Sequence, residues 1–417
     1  MDDMLLMAKH ARAAMKSLDA MGGDERSALI HAVAAAIRSC SAVIERANGK
    51  DVENGETAGL SAAMLDRLLL DGPRIEAMAT ALDTIAGLSD PLQKTLAEWE
   101  RPNGLLISRV TVPLGVIGII YESRPNVTAD AAAICLKAGN CVILRGGSES
   151  ARSSRAIVNV IRETLKQHDI DPNAVQIVPD QDRARVGALL TGLDGQVDVV
   201  VPRGGRSLVE RVQREARVPV IGHLEGLCHV YIDASAAVHK AEQIVLNAKL
   251  RRTGICGAAE TLLIDRAFGE EPAVNLLMAL SGSGCEIRGC EQICEWFVDT
   301  TPATEDDWVT EYLAPIISVR VVDGVEEAIQ HISHYGSGHT DAIVAEDDAV
   351  ASRFLRTVDS AIVMHNASTQ FADGGEFGMG AEIGISTSRI HARGPVGAEQ
   401  LTSYKYVVRG TGQVRSL

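Results

Sequence analysis

The chain predicts an α/β protein organised around parallel sheet, and three observations carry that prediction. From about residue 110, short β-rich runs alternate with amphipathic helical runs. Two of the β-rich runs end in Gly-rich turns that lead into helices. At 417 residues the chain is also too long for one ordinary core, so two or three domains are expected.

Residues 3–100 read as mostly helical. Apolar positions recur at helical spacing through 28–37, and Asp24 and Glu25 stand where they oppose the helix dipole. Gly22-Gly23, Gly49, Gly55, Gly59 and Asp71-Gly72-Pro73 mark breaks. Residues 104–112 form an isolated strand. Strands are then expected at 116–120, 141–144, 175–178, 197–201 and 218–221, with helices at 128–138, 150–168, 183–191 and 207–216 between them. This alternation predicts a parallel sheet covered on both faces, with ligands bound beyond the strands' carboxyl ends. A second α/β segment begins near His229-Val-Tyr-Ile-Asp233. The stretch from about Ser386 is rich in Gly, Arg and Ser/Thr, and residues 401–408 are a strand without a neighbour in sequence. Two such orphan strands are expected to pair as an arm, which in turn pairs with another subunit.

The composition excludes several classes of function. It is 46% apolar, 23% charged and 3% aromatic, as in a globular protein with closely packed Ala- and Gly-rich helices. A formal charge of −15 argues against general binding of nucleic acid or anionic membranes, so an anionic substrate must be held by local cations. Met-Asp-Asp-Met-Leu-Leu-Met at the start offers neither a basic region nor a long apolar core, so no secretory signal is expected. Residues 110–121, the longest apolar stretch, are too few to span a membrane. The 8 cysteines lack a framework spacing, which suits a reducing compartment and predicts a cytoplasmic protein. Cys285, Cys290 and Cys294 match no common zinc spacing, so no metal site is expected.

The chemistry centres on Cys256, in Asn247-Ala-Lys-Leu-Arg-Arg-Thr-Gly-Ile-Cys-Gly-Ala-Ala-Glu-Thr261. Lys249, Arg251 and Arg252 precede a thiol flanked by Gly254 and Gly257. Cations favour the nucleophilic thiolate and can hold an anionic substrate, while glycines let the backbone approach a ligand. The pattern points to covalent catalysis on an acyl or carbonyl group. Arg145-Gly-Gly-Ser-Glu-Ser150 and Pro202-Arg-Gly-Gly-Arg-Ser-Leu208 each place a Gly-rich turn and an arginine before a helix, where exposed amides and the helix dipole suit a phosphate. Two such turns on one sheet predict a dinucleotide. In Tyr121-Glu-Ser-Arg-Pro-Asn-Val-Thr128, Asn126 either caps the next helix or joins Ser123 and Arg124 in the cleft of Cys256.

Together these stretches resemble the aldehyde dehydrogenase superfamily, and within it the branch that reduces an acyl phosphate. The resemblance rests on residues 121–128, the Cys256 segment, Tyr335-Gly-Ser-Gly-His-Thr-Asp-Ala-Ile343 and Asn366-Ala-Ser-Thr-Gln-Phe-Ala-Asp-Gly374. Gly380-Ala-Glu-Ile-Gly-Ile-Ser-Thr387, running into His391-Ala-Arg-Gly-Pro-Val-Gly397, extends it. It implies a Rossmann-type cofactor domain at 1–103 and 113–227, and an α/β catalytic domain carrying Cys256 at 228–385. A β-strand oligomerisation arm is implied at 104–112 and 386–417. The implied reaction is NADPH-linked reduction of L-glutamyl 5-phosphate to glutamate 5-semialdehyde, through a thioester on Cys256. Ser123 falls in the slot of the family's oxyanion asparagine. Arg145, Ser148, Gly204, Gly205 and Glu311 are the implied cofactor residues, with Arg145 or Arg152 toward a 2′-phosphate. Arg252, Arg124 and Arg393, with Asn126, are the implied substrate residues, and His339 and His391 lie in family-like motifs. Hydrolytic members carry a water-activating glutamate in Glu-Leu-Gly-Gly; here His223-Leu-Glu-Gly226 places His223 there, which favours phosphate chemistry over hydrolysis. Two alternatives stay open, a CoA-acylating aldehyde dehydrogenase and a non-catalytic scaffold for glutamate kinase. A homo-oligomer, and a transient complex with that kinase, are the partners the resemblance allows.

Overall fold

The computed structural model describes residues 2–122, 124–179 and 182–415. The chain divides into two compact units. The first comprises the chain up to Gly222, with Gly378–Gly384 and the stretch from Val396; the second comprises His223–Phe377 and Ile385–Pro395.

Helices α1 (Asp2–Asp19), α2 (Gly23–Ser39), α3 (Ser41–Thr57), α4 (Ala62–Leu68) and α5 (Gly72–Gly87) open the first unit. The helical spacing puts Leu29, Ile30, Val33 and Ile37 of α2 on one buried face, each contributing about 1.5–3 kcal/mol. Asp71 starts α5 by accepting from the Arg74 amide, with Pro73 in the first turn. The next segment, expected to continue helical, is instead strand β1 (Thr95–Glu100), which pairs antiparallel with β2 (Leu106–Pro113). Its partner, not its local pattern, makes it a strand.

The parallel sheet of this unit contains β3 (Val116–Tyr121), β4 (Cys141–Arg145), β5 (Val175–Ile177) and β6 (Val199–Arg203), in the order β5-β4-β3-β6. Helices α6 (Val127–Lys137), α7 (Ala151–Gln167), α8 (Arg183–Leu190) and α9 (Arg206–Glu215) follow the strands. The chain steps outward from β3 to β5, then returns to lay β6 on the other side of β3, so the switch point lies between β3 and β6. The strand expected at 218–221 is only a bridge from Val200 to Val220, because Pro219 has no N–H with which to continue a ladder. The C-terminal strand β16 (Thr402–Arg409) lies antiparallel on β2, giving the three-stranded sheet β1-β2-β16 with β16 at its edge. Buried Asn140 ties it down by donating to the Leu401 carbonyl at 2.9 Å.

The second unit holds a seven-stranded parallel sheet in the order β10-β9-β11-β8-β7-β12-β13. Its strands are β7 (Cys228–Ile232), β8 (Ala259–Asp265), β9 (Glu286–Gly289), β10 (Thr301–Pro302), β11 (Ile316–Val322), β12 (Thr340–Val344) and β13 (Ile362–His365). Every residue of β7, β8 and β12 is buried. Helices α10 (Val238–Leu250), α11 (Glu270–Gly282), α12 (Glu291–Trp296), α13 (Gly324–Tyr335) and α14 (Asp348–Thr357) connect them, and β14 (Ile385–Ser386) pairs with β15 (Gly394–Pro395). Among the described residues no single helix is long and apolar enough to cross a membrane; α2 and α3 reach that length only as a pair bent by 66°, with buried apolar faces.

Candidate active site

Cys256 lies in the turn between α10 and β8, at the amino edge of the second sheet. The segments leading into β7 and β12 end at the same edge and bring His223, Gly226 and His339 to the thiol. One ligand-type atom from each of His223, Cys256 and His339 lies within 4.8 Å of the others. The two imidazoles meet edge to face, with centroids 4.7 Å apart. The Ile385 carbonyl can only accept, so the 2.7 Å contact from His223 Nδ1 fixes a proton on Nδ1 and turns Nε2 into the basic nitrogen. His339 is fully buried; Nδ1 lies 2.9 Å from Thr340 Oγ1, and Nε2 has no hydrogen-bond partner among the described residues. Sequence reasoning put His223 in the slot of the hydrolytic glutamate, and the structure brings its ring beside the Cys256 thiol.

The backbone of the thiol turn is held tightly. Cys228 donates its thiol to the Cys256 carbonyl at 3.1 Å, and burial pushes the Cys228 thiol up, well above its ordinary range. Gly226 passes so close that a Cβ there would stand 2.2 Å from the same carbonyl oxygen. Its amide donates to Glu311 Oε1 at 3.0 Å, so Glu311 anchors the backbone that packs on Cys256. Ser337 accepts from the next amide, Leu227, at 2.9 Å. Sequence reasoning missed Cys228, the Gly226 contact and Ser337; the last two lie inside motifs it had quoted.

The cations before Cys256 separate. Lys249 is fully buried and ion-paired with Glu260, whose carboxyl is pushed up by burial and held back by that lysine. Its charge is spent on the core. Arg251 reaches Gln370 at 3.3 Å, and Arg252 is exposed. Arg393 lies 2.7 Å from Asp359, which ties it to the loop between α14 and β13. His391 is exposed, at φ +73°. Cys294 donates to the Gly289 carbonyl at 3.4 Å, and Cys290 accepts from the Val321 amide at 3.5 Å.

In the first unit, the turns after β3 and β6 meet across the switch point. Gly205 donates its amide to Glu122 at 2.9 Å, so the N-terminus of the ten-residue helix α9 already holds a carboxylate. A Cβ on Gly204 would stand 2.5 Å from the same group. After β4, Arg145 bonds the Gly146 carbonyl at 3.1 Å, and Gly146 packs on the ring of Tyr121. Ser148 is exposed in a short 3₁₀ turn. The N-terminus of α7 is satisfied by buried Asp51, which accepts from the Ser153 amide at 2.8 Å and pairs with Arg152 at 3.3 Å. Asn126 does not cap α6; it is itself helical, and its side chain bonds Asp130 at 3.1 Å. Burial pushes the Asp130 carboxyl up to about 6. Arg124 is partly buried, and Ser123 lies outside the described residues.

The sequence profile of the Aldehyde dehydrogenase family matches residues 2–280. A γ-glutamyl phosphate reductase of Hyphomonas neptunium is 58% identical over 414 residues, covering 99% of this chain and 97% of its own. One from Parvibaculum lavamentivorans is 59% identical over 405 residues, covering 97% and 96%. The crystal structure of the γ-glutamyl phosphate reductase of Thermotoga maritima superposes with a TM-score of 0.97 at 44% identity, covering 99% of this chain and 100% of the other.

Proposed function

The chain belongs to the aldehyde dehydrogenase family, on its γ-glutamyl phosphate reductase branch, and on that premise we propose that it reduces L-glutamyl 5-phosphate to L-glutamate 5-semialdehyde and phosphate with NADPH, in proline biosynthesis. The observation that carries the reading is the Cys256 thiol, fixed at its backbone and standing beside His223.

His223 Nε2 takes the thiol proton, and Cys256 Sγ attacks the γ-acyl carbon. The C–O bond to phosphate breaks and a thioester forms. The Cys256 amide stabilises the developing oxyanion, with Ser123 the second donor. When bound, NADPH would supply a hydride to the thioester carbonyl carbon, and the Cys256 amide would hold the thiohemiacetal oxyanion that results. Its collapse releases the aldehyde and returns the thiolate. Of the cations, Arg252 is the first choice for the substrate anions, then Arg124, then Arg393, for which Asp359 competes. Asn126 lines the same substrate.

The first unit suits the cofactor because the α9 N-terminus already binds an anion, the Glu122 carboxylate, at Gly205. Gly204 and Gly205 would receive the pyrophosphate, Arg145 and Ser148 the adenosine side, and Glu311 the nicotinamide ribose. The roles we assign are cofactor binding at 1–103 and 113–227, catalysis at 228–385 and oligomerisation at 104–112 and 386–417, with His223–Leu227 moved to the catalytic side because they pack with the second unit. A homo-oligomer is supported by β16, an edge strand with Tyr404, Tyr406 and Val408 exposed on one face. Free thiols at all 8 cysteines support the cytoplasm. Transfer of a labile acyl phosphate supports a transient complex with the glutamate kinase that makes it.

The test is the reverse reaction, followed as NADPH formation from glutamate semialdehyde and NADP. Signal that requires inorganic phosphate and vanishes in Cys256→Ala is expected. Signal without phosphate, or signal restored only by CoA, overturns the reading.

A further inference from the structure

We propose that Cys256, His223 and His339 form a capture site for a borderline-soft divalent cation of the Zn²⁺ class, and that its occupancy reversibly silences the thiol. The donor set is one thiolate and two imidazoles, the chemistry that selects Zn²⁺ or Co²⁺ over Mg²⁺ and Ca²⁺.

Two independent observations point to a ligand. The three donor atoms fall within 4.8 Å of one another. A tetrahedral zinc with bonds of about 2.0–2.3 Å holds its ligand atoms about 3.3–3.7 Å apart, so closure needs roughly 1 Å, within the swing of the partly exposed Cys256 side chain. Second, His339 is fully buried, yet its Nε2 has no hydrogen-bond partner among the described residues. A buried imidazole nitrogen left bare is costly unless something binds it.

The surroundings match a metal site's supporting shell. His223 is oriented by donating Nδ1–H to the Ile385 carbonyl at 2.7 Å, and His339 Nδ1 lies 2.9 Å from Thr340 Oγ1, which leaves the bare His339 Nε2 for a ligand's side. Buried Cys228 donates its thiol to the Cys256 carbonyl. It therefore holds the turn and is not a fourth donor. A cation on Cys256 Sγ occupies the lone pair that attacks the acyl carbon. Capture itself stands on this geometry alone; the silencing rests on Cys256 being the nucleophile.

The experiment titrates the full-length protein with Co²⁺ in a non-chelating buffer, reading the thiolate-to-cobalt charge-transfer band, and with Zn²⁺ as competitor. One equivalent is expected to bind, with the band absent in Cys256→Ala and affinity on the order of tenfold or more weaker in both His223→Ala and His339→Gln. Circular dichroism checks that each variant is folded, and His223→Ala, altering a less buried ring, carries the test if His339→Gln is not. Cys290→Ser should bind as the parent does. Zn²⁺ should slow alkylation of Cys256 and inhibit turnover, both reversed by EDTA, whereas Mg²⁺ should do neither. Binding unchanged in the histidine variants, binding lost in Cys290→Ser, or no binding below millimolar cobalt overturns the site. Capture without inhibition would instead refute the role of Cys256 as nucleophile.

Discussion

Gly226→Ala should disable the enzyme without touching a reacting atom. The added methyl would stand 2.2 Å from the Cys256 carbonyl oxygen and 2.7 Å from its Cα and carbonyl carbon. Ordinary contact needs about 3.4 Å, so one of the two backbones must move by about 1 Å. Both are anchored: Gly226 through Glu311, Cys256 through Cys228. A 1 Å error at a nucleophile costs on the order of 100-fold in rate, or about 2.7 kcal/mol of barrier. Overpacking should also cost about 1–3 kcal/mol of stability. The assay is phosphate-dependent NADPH formation, with thermal unfolding alongside. Gly257→Ala is the control, since its methyl's tightest contact would be the Thr369 carbonyl at 3.1 Å, with Ala372 at ordinary contact distance, and it should cost less than tenfold. If Gly226→Ala turns over within twofold of the parent, the argument that this contact positions Cys256 is wrong.

Two further outcomes follow from the structure. Burial, with His229, Arg320 and His334 nearby, pushes the His331 imidazole down to about 3. The unfolded chain binds that proton near pH 6.5 and the folded one does not, so the contribution is whole above pH 6.5 and is lost as pH falls toward 3. At pH 5 the loss is up to about 2 kcal/mol, and His331→Leu should flatten the fall in Tm between pH 7 and 5; an unchanged acid slope would exclude His331 as its source. Separately, Tyr406→Lys combined with Val408→Lys should shift size-exclusion elution toward a smaller species, because both side chains lie exposed on the edge strand. Elution at the parent position would remove β16 from the interface.

Periodicity made much of the fold legible. The β3–α6–β4–α7 run follows directly from alternating apolar runs and Gly-rich turns, and Cys256 stands out by its chemistry. Partnership was less legible. β1 is a strand because β2 lies beside it, and Lys249 looks like a catalytic cation until Glu260 is found opposite. The grouping of His223 with His339 depends on β7 and β12 being neighbours, a pairing of segments about a hundred residues apart that no local pattern encodes. The rule that places ligands at the carboxyl edge points to the turns proposed for the cofactor in the first sheet, whereas Cys256 sits at the amino edge of the second.

The pairing of β2 with β16 joins Pro113 to Thr402, residues 289 apart (402 − 113). During synthesis at about 5–20 residues per second, roughly 15–60 s pass between the emergence of the two strands. Throughout that interval β2 has β1 on one side and an unfilled edge on the other. A ribosome that stalls anywhere in the second unit leaves a nascent chain whose first unit lacks its final strand. Under the proposed oligomerisation through β16, only a chain that has been made as far as Arg409 carries that edge to a sister subunit, so products truncated before it would be left out of the assembly.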